Sequence, residues 1–248
     1  LEVEIARLEE RDADAKVISN KRELLSKIDS FNEQNPMLGL RGCRLGIVYP
    51  VLTELQVRAI ATATAKLKIE GFNPKPEIMV PLICTVNELA YAKEDALRVI
   101  SEVSKAEAVD LNIEIGTMIE LPRAALTADE IAAQADFFSF GTNDLTQTTF
   151  GFSRDDVEGE FIPLYLEKHL LSRNPFATVD GNGVGKLVGM ATELGKQTNP
   201  NLLCGVCGEH GGDPESIHTF ANCGVDYVSC SPYRVPVARL AAAQAALD

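Results

Sequence analysis

The sequence predicts an α/β fold on a parallel sheet: either an open doubly wound sheet or the last five strands of an eight-stranded (β/α)8 TIM barrel, preceded by a helical arm. Three observations carry this. Five short runs, Glu77–Ile83, Asn112–Ile119, Asp136–Phe140, Leu202–Cys207 and Val225–Cys230, are rich in β-branched and aromatic residues and largely apolar along their length. Strands covered on both faces read that way. Amphipathic helical segments alternate with these runs, which is the βα order of a parallel sheet. The chain has 248 residues, of which 46% are hydrophobic, enough for one large core.

The first part of the chain differs from the rest. Leu1–Phe31 is charged, with Ile5, Leu8, Leu24, Leu25 and Ile28 at roughly helical spacing, and predicts one or two surface helices. Asn35-Pro36-Met37-Leu38-Gly39 predicts the turn that ends them. Residues 1–34 are therefore expected to form an arm, and 35–248 the sheet-bearing portion. Helices then follow near Glu54–Glu70, Val86–Ala108, Ala128–Gln134, Phe161–Leu171, Val184–Gln197 and Glu215–Asn222, with an Ala-rich one from Val237. Thr53 with Gln56, Thr85 with Glu88, and Thr127 with Glu130 fit the capping box, in which two side chains satisfy orphan backbone N–H groups. Asp213-Pro214 fits an N-cap followed by proline in the first turn.

Charge excludes two classes of partner. Thirty-six acidic against 23 basic residues give a net charge of −13, which disfavours nucleic-acid backbones and anionic lipid. No apolar run reaches the ~18 residues of a membrane helix. The six cysteines lie mostly in apolar surroundings, as free thiols in a reducing compartment do. The cytoplasm is the expected location, although the chain opens on Leu1 rather than Met and an organelle address ahead of it would leave no trace.

Function in a parallel barrel gathers where strands end. Glu120 follows the second run, Asn143 and Asp144 the third, and Cys207-Gly208-Glu209-His210 the fourth. Glu120 and Asp144 on adjacent strand ends suit one hard divalent cation such as Mg2+. Alone, each would read as a cap or a solvated loop acid; together, beside Gly and Pro, they read as a site.

The run Asp136-Phe137-Phe138-Ser139-Phe140-Gly141-Thr142-Asn143-Asp144-Leu145-Thr146-Gln147 resembles the signature of the phosphoenolpyruvate-utilising enzymes. Asn35–Leu45, Gly116–Glu120 and Cys207–Pro214 agree in order. Arg41-Gly42-Cys43-Arg44-Leu45 and Cys207-Gly208-Glu209-His210-Gly211-Gly212-Asp213-Pro214 resemble the dikinase branch more than the synthase or enzyme I branches. The resemblance implies the barrel, Mg2+ held by Glu120 and Asp144, a substrate-binding amide at Asn143, and a pocket wall at Gly141 and Thr142. It implies a proton-donating thiol at Cys207 and, near the substrate's phosphate and carboxylate, Arg41 and Arg154. The implied partners are pyruvate or phosphoenolpyruvate, a nucleotide-binding domain, a phosphohistidine domain and a second copy in a homodimer.

Other motifs are set aside. Cys204-Gly205-Val206-Cys207 has no second pair for zinc and ends a strand rather than opening a helix. Gly181–Lys186 lacks the spacer and the Ser/Thr of a phosphate loop. Asp155, Asp156, Glu158 and Glu160 lack calcium-loop spacing. His169, His210 and His218 do not sit in the context of a phosphorylated histidine; His210 reads as a pocket or loop hydrogen-bonding residue. The chain alone is therefore expected not to complete a dikinase reaction. A non-catalytic ligand-binding or oligomerisation module is the alternative.

Overall fold

A computed structural model describes residues 1–11, 13–29 and 37–247, which form two units, Leu1–Arg41 and Gly42–Asp248. The first unit holds α1 (Glu2–Glu10) and α2 (Ala15–Asp29). The helices pack through the buried Ile5 and pair Lys21 with Glu4 at 2.9 Å and Arg22 with Glu9 at 2.6 Å. These pairs are exposed and contribute little to stability. The expected boundary at 34/35, and Asn35-Pro36 of the expected turn, lie outside the described residues.

The second unit carries α3 (Cys43–Val48), α4 (Pro50–Ile69), β1 (Glu77–Val80), α5 (Val86–Glu107), β2 (Glu114–Ile119), α6 (Pro122–Leu126), α7 (Ala128–Ala132) and β3 (Phe137–Gly141). It continues with α8 (Thr142–Phe150), α9 (Arg154–Val157), α10 (Ile162–Glu167), α11 (Val184–Thr198), β4 (Leu203–Cys207), α12 (Pro214–Asn222), β5 (Tyr227–Val228) and α13 (Val235–Ala245). The described strands make one five-stranded sheet in the order β1-β2-β3-β4-β5, every pairing parallel. All five predicted strands exist, in βα order. Among the described residues no helix is long and apolar enough to cross a membrane.

Burial explains the sheet's ranking. Every residue of β3 is buried, with Phe138 and Phe140 inside the main core beside Ile119, Ile131, Val188 and Val206. Fully burying such side chains is worth about 1.5–3 kcal/mol each. β1 and β5, at the two edges, stay partly exposed. Register is fixed by a device that recurs twice and that sequence reading missed. Asp136, just before β3, accepts the Ile115 N–H at 2.7 Å and pairs with Lys93 at 2.8 Å. Asp226, just before β5, accepts the Cys204 N–H at 2.8 Å and pairs with Lys196 at 2.8 Å. Each aspartate thus satisfies a donor at the start of the neighbouring strand and ties the sheet to α5 or α11. A one-residue slip would strand that donor and turn the buried face outward.

The caps are mixed. Thr85 and Glu88 form a full capping box, and the Asp213 side chain accepts from Ser216 N–H. Thr53 does not cap: α4 already starts at Pro50, where proline costs no hydrogen bond in a first turn. Thr127 caps α7 without a side-chain bond, because its hydroxyl donates to the Arg123 carbonyl at 3.1 Å instead.

Desolvation pushes the Cys43 thiol up to about 12 and Cys204 up to about 11. Only the thiolate attacks a disulfide reagent. At pH 8, labelling of Cys43 and Cys204 in the folded chain should be slower by about a hundredfold or more than in the denatured chain. The folded state holds these protons longer than the unfolded chain, so their stabilisation is full at neutral pH. It falls once pH rises past the ordinary thiol value of 9.0 towards the raised values. Denaturant midpoints measured from pH 8 to 11 check this.

Candidate functional site

Four elements bring polar side chains to the carboxyl edge of the sheet. β2 ends at Ile119, so Glu120 leaves the sheet where β2 pairs β3. Glu120 is only 2% exposed. Its Oε1 accepts the Leu82 N–H at 2.7 Å, from the turn after β1. Leu82 is held at φ 58°, a left-handed conformation costly for a branched residue, and that conformation aims the N–H at the carboxylate. The other carboxylate oxygen lies against Gly141, where a Cβ would overlap Glu120 Oε2 and stand 2.7 Å from Met118 Cε. Glycine at 141 is therefore a requirement of the carboxylate's position. Gly141→Ala should displace Glu120 and cost about 1–3 kcal/mol of stability, read as a lower denaturant midpoint.

β3 runs directly into α8, so Asn143 and Asp144 sit in a helix's first turn rather than in a loop. The strand end at Phe140-Gly141 shows in the sequence, but the helix that starts at Thr142 does not. The consequence is chemical, because a helix start fixes side-chain directions that a loop does not. The Thr148 hydroxyl, one turn on, reaches the Asp144 carbonyl at 2.7 Å and the Glu120 carbonyl at 3.4 Å, bringing the two carboxylate-bearing segments onto one hydroxyl. Asn143 Oδ1 is buried without a hydrogen-bond partner. Such an orphan is rare in native structures and leaves an acceptor open to a ligand, an ion or a water.

β4 supplies Cys207. Its thiol approaches the Phe140 carbonyl at 3.6 Å. Burial pushes its pKa up, and the fields of Glu120 and Asp144 push the same way, against a hydrogen bond from Ser139. Cys207 therefore senses both carboxylates and keeps its proton at neutral pH. Gly208 follows at φ 112°, conformational space open to glycine; a Cβ there would meet Thr142 Oγ1 at 2.9 Å and Asn143 Oδ1 at 3.3 Å. A cleft of about 450 Å³ opens beside Asn143, reaching Gly208, Glu209, Ser229 and Arg234. A larger, apolar cavity of about 700 Å³ lies between α4, β1 and α5.

The structure thus gathers Glu120, Gly141, Thr142, Asn143, Asp144 and Cys207. Arg154 stands beside them, its guanidinium 2.8 Å from Glu209 and 3.1 Å from Glu158, and 5.8 Å from the Phe176 ring centroid. Arg41 closes the first unit. Leu82 and Thr148 are the contributors the sequence did not disclose, and Glu209, named there after the fourth strand, was given no role.

Polar side chains converging at the carboxyl ends of parallel strands, on a sheet flanked by helices, make this an α/β protein with a candidate site at that edge of the sheet. Comparison with known proteins makes the class particular. The model of the PEP-utilising enzyme, PEP-binding domain family matches residues 11–247, and the chain belongs to that family. Pyruvate, phosphate dikinase 1, chloroplastic, of Arabidopsis thaliana is 57% identical over 222 residues, 90% of this chain and 23% of that protein. Pyruvate, phosphate dikinase 2 of Zea mays is 56% identical over 226 residues, 91% of this chain and 26% of that protein. The chain therefore spans about a quarter of the length of these relatives. A citrate lyase from Burkholderia xenovorans LB400 shares 14% identity and a TM-score of 0.48, covering 76% of this chain and 53% of its own, too little to carry a functional comparison.

Proposed function

We propose that this chain is the phosphoenolpyruvate/pyruvate-binding part of a pyruvate, phosphate dikinase. The full reaction would convert ATP, phosphate and pyruvate to AMP, phosphoenolpyruvate and diphosphate. The observation that carries the reading is the single cluster of two carboxylates, an orphaned amide oxygen and a protonated thiol on three consecutive strand ends. The family relationship and the dikinase relatives support it.

Among the described residues no group of three or more His, Cys, Asp or Glu side chains could hold a metal. Two carboxylates plus ligand oxygens and waters are what Mg2+ takes, and the buried Glu120 with the unpartnered Asn143 Oδ1 fits such an ion. When bound, Mg2+ would supply Lewis-acid stabilisation of negative charge on the pyruvate enolate oxygen. Glu120 and Asp144 would hold it, and the Leu82 N–H keeps the Glu120 carboxylate aimed. Asn143 would orient the substrate's oxygens against the wall made by Gly141 and Thr142. Cys207, its proton retained by burial, would deliver that proton to the methylene carbon of the enolate to give pyruvate, and take it back in the reverse direction. Arg154 would exchange Glu209 for the ligand's anionic oxygens.

In this reading the sheet is part of a (β/α)8 barrel, and residues 1–34 are an insertion-like helical arm. The partly exposed β1, with Met79 40% exposed and the apolar cavity alongside, offers an edge on which a further strand would pair. The nucleotide-binding and phosphohistidine domains and a dimer partner belong to the whole enzyme. Calorimetry with oxalate, a stand-in for the pyruvate enolate, tests the site. Binding is expected with Mg2+ and absent without it; oxalate binding that ignores Mg2+, or no binding at all, overturns the reading.

A further inference from the structure

The mechanism above leaves one buried, chemically capable side chain unused. His210 is 0% exposed and stands in the short 3-10 turn Glu209–Gly212 directly after β4. Its ring touches two partners. Nε2 lies 2.9 Å from the Pro175 carbonyl and Nδ1 lies 2.8 Å from Thr142 Oγ1.

These partners determine the tautomer. A carbonyl only accepts, so Nε2 must carry a hydrogen. Burial favours the neutral ring and outweighs the hydrogen bond donated to the Pro175 carbonyl and the nearby Asp213 and Glu209 carboxylates, while Arg154 pushes the same way as burial. A neutral ring with hydrogen on Nε2 has a bare Nδ1, which accepts the Thr142 hydroxyl hydrogen. Thr142 has one such hydrogen, and its other neighbour is the Cys207 carbonyl at 3.2 Å. His210 therefore decides which way that hydroxyl points.

Thr142 occupies a consequential position. It is fully buried and is the first residue of α8, immediately before Asn143 and two before Asp144. Its hydroxyl also packs on Gly208, which follows Cys207. One side chain thus touches both the strand end that carries the amide and carboxylate and the strand end that carries the thiol.

Building on the proposed function, we infer that His210 is a positioning residue. As the Nε2–H tautomer it is anchored on Pro175 and holds the Thr142 hydroxyl, which sets the start of α8, and with it Asn143 and Asp144, against the Cys207 turn. It does not touch substrate. Its contribution is to the geometry of two groups that do, and small misplacements of such groups have large effects.

The test uses isosteric logic on the full chain. The amide nitrogen of glutamine reaches the place of Nε2, so His210→Gln keeps the Pro175 bond and removes the acceptor for Thr142. In His210→Asn the side-chain oxygen takes the place of Nδ1 and keeps that acceptor. Thr142→Val removes the hydroxyl at constant shape. Oxalate affinity in the presence of Mg2+ is expected to fall about tenfold in His210→Gln and in Thr142→Val, and by less than about threefold in His210→Asn. The double variant of His210→Gln with Thr142→Val should bind no worse than either single one, since both remove one interaction. Nitrogen-15 spectra should show His210 protonated on Nε2 at pH 7. The amide signals of Asn143 and Asp144 should move in His210→Gln and return in His210→Asn, with or without ligand. Equal losses in Gln and Asn that track melting temperature, additive losses in the double variant, or an Nδ1–H tautomer would overturn the inference. If the parent chain fails to bind oxalate, the functional reading falls while the amide signals still decide the positioning role.

Discussion

Glu120→Gln is expected to abolish Mg2+-dependent oxalate binding, weakening it by about a hundredfold or more, while leaving the fold intact. Glutamine retains an oxygen at the Oε1 position, so the 2.7 Å bond from Leu82 N–H survives. It loses the negative charge, and a hard divalent cation held by only two carboxylates loses half of its protein charge with it. The cost should exceed that of outer-sphere changes, which typically lower metal affinity 10–100-fold. Calorimetry on the parent and variant chains reads the affinity, and the denaturant midpoint reads the fold. Unchanged oxalate binding, or a variant that binds metal normally and merely unfolds earlier, would remove Glu120 from the site.

The second large effect is expected at Cys207, and it has the opposite signature. Cys207→Ala should bind Mg2+ and oxalate within about threefold of the parent, because the thiol is assigned no part in holding either. Exchange of the pyruvate methyl hydrogens with deuterated solvent, read by NMR, should fall by at least about a hundredfold, towards the solvent background, as removal of a positioned general acid predicts. The split between retained binding and lost exchange separates an acid from a packing residue. The direction of the Cys207 pKa, raised by burial and by the Glu120 and Asp144 fields, adds a pH test. Taking a methyl proton from pyruvate requires the thiolate, so the exchange rate should still be rising with pH beyond the ordinary thiol value of 9.0 rather than levelling off there.

What was legible in the sequence, and what was not, follows from where the physics is local. β3 was readable because a strand covered on both faces must be apolar throughout, and Phe137-Phe138-Ser139-Phe140 nearly is. The Thr85/Glu88 box and the Asp213 cap were readable because capping is a contact over three residues. Glu120, Asp144 and Cys207 stood out as polar residues where apolar strands stop. The long-range contacts were not readable. Nothing near Leu82 announces a positive φ, because it is imposed by Glu120, 38 residues away. Asp136 and Asp226 look like ordinary strand-leading acids until the sheet shows each bonding the neighbouring strand. The start of α8 was missed because Thr-Asn-Asp is good turn chemistry, and tertiary packing against Gly208 and His210 overrides it. His210 itself was seen, with its role left between pocket and loop, since a tautomer is set by partners 68 and 35 residues distant.

In the proposed site Glu120, Asn143, Asp144 and Cys207 would surround one divalent cation and one enolate-like ligand. Manganese in place of magnesium makes the location directly visible, because it broadens the NMR signals of nuclei near it. With substoichiometric Mn2+ and saturating oxalate, the account predicts loss of the amide signals of Glu120, Gly141 through Asp144, and Cys207 to Gly208. Signals in α4 and in the acidic segment 155–160 should remain sharp. Broadening centred on Asp155 and Asp156, or spread over the acidic surface regardless of oxalate, would contradict it.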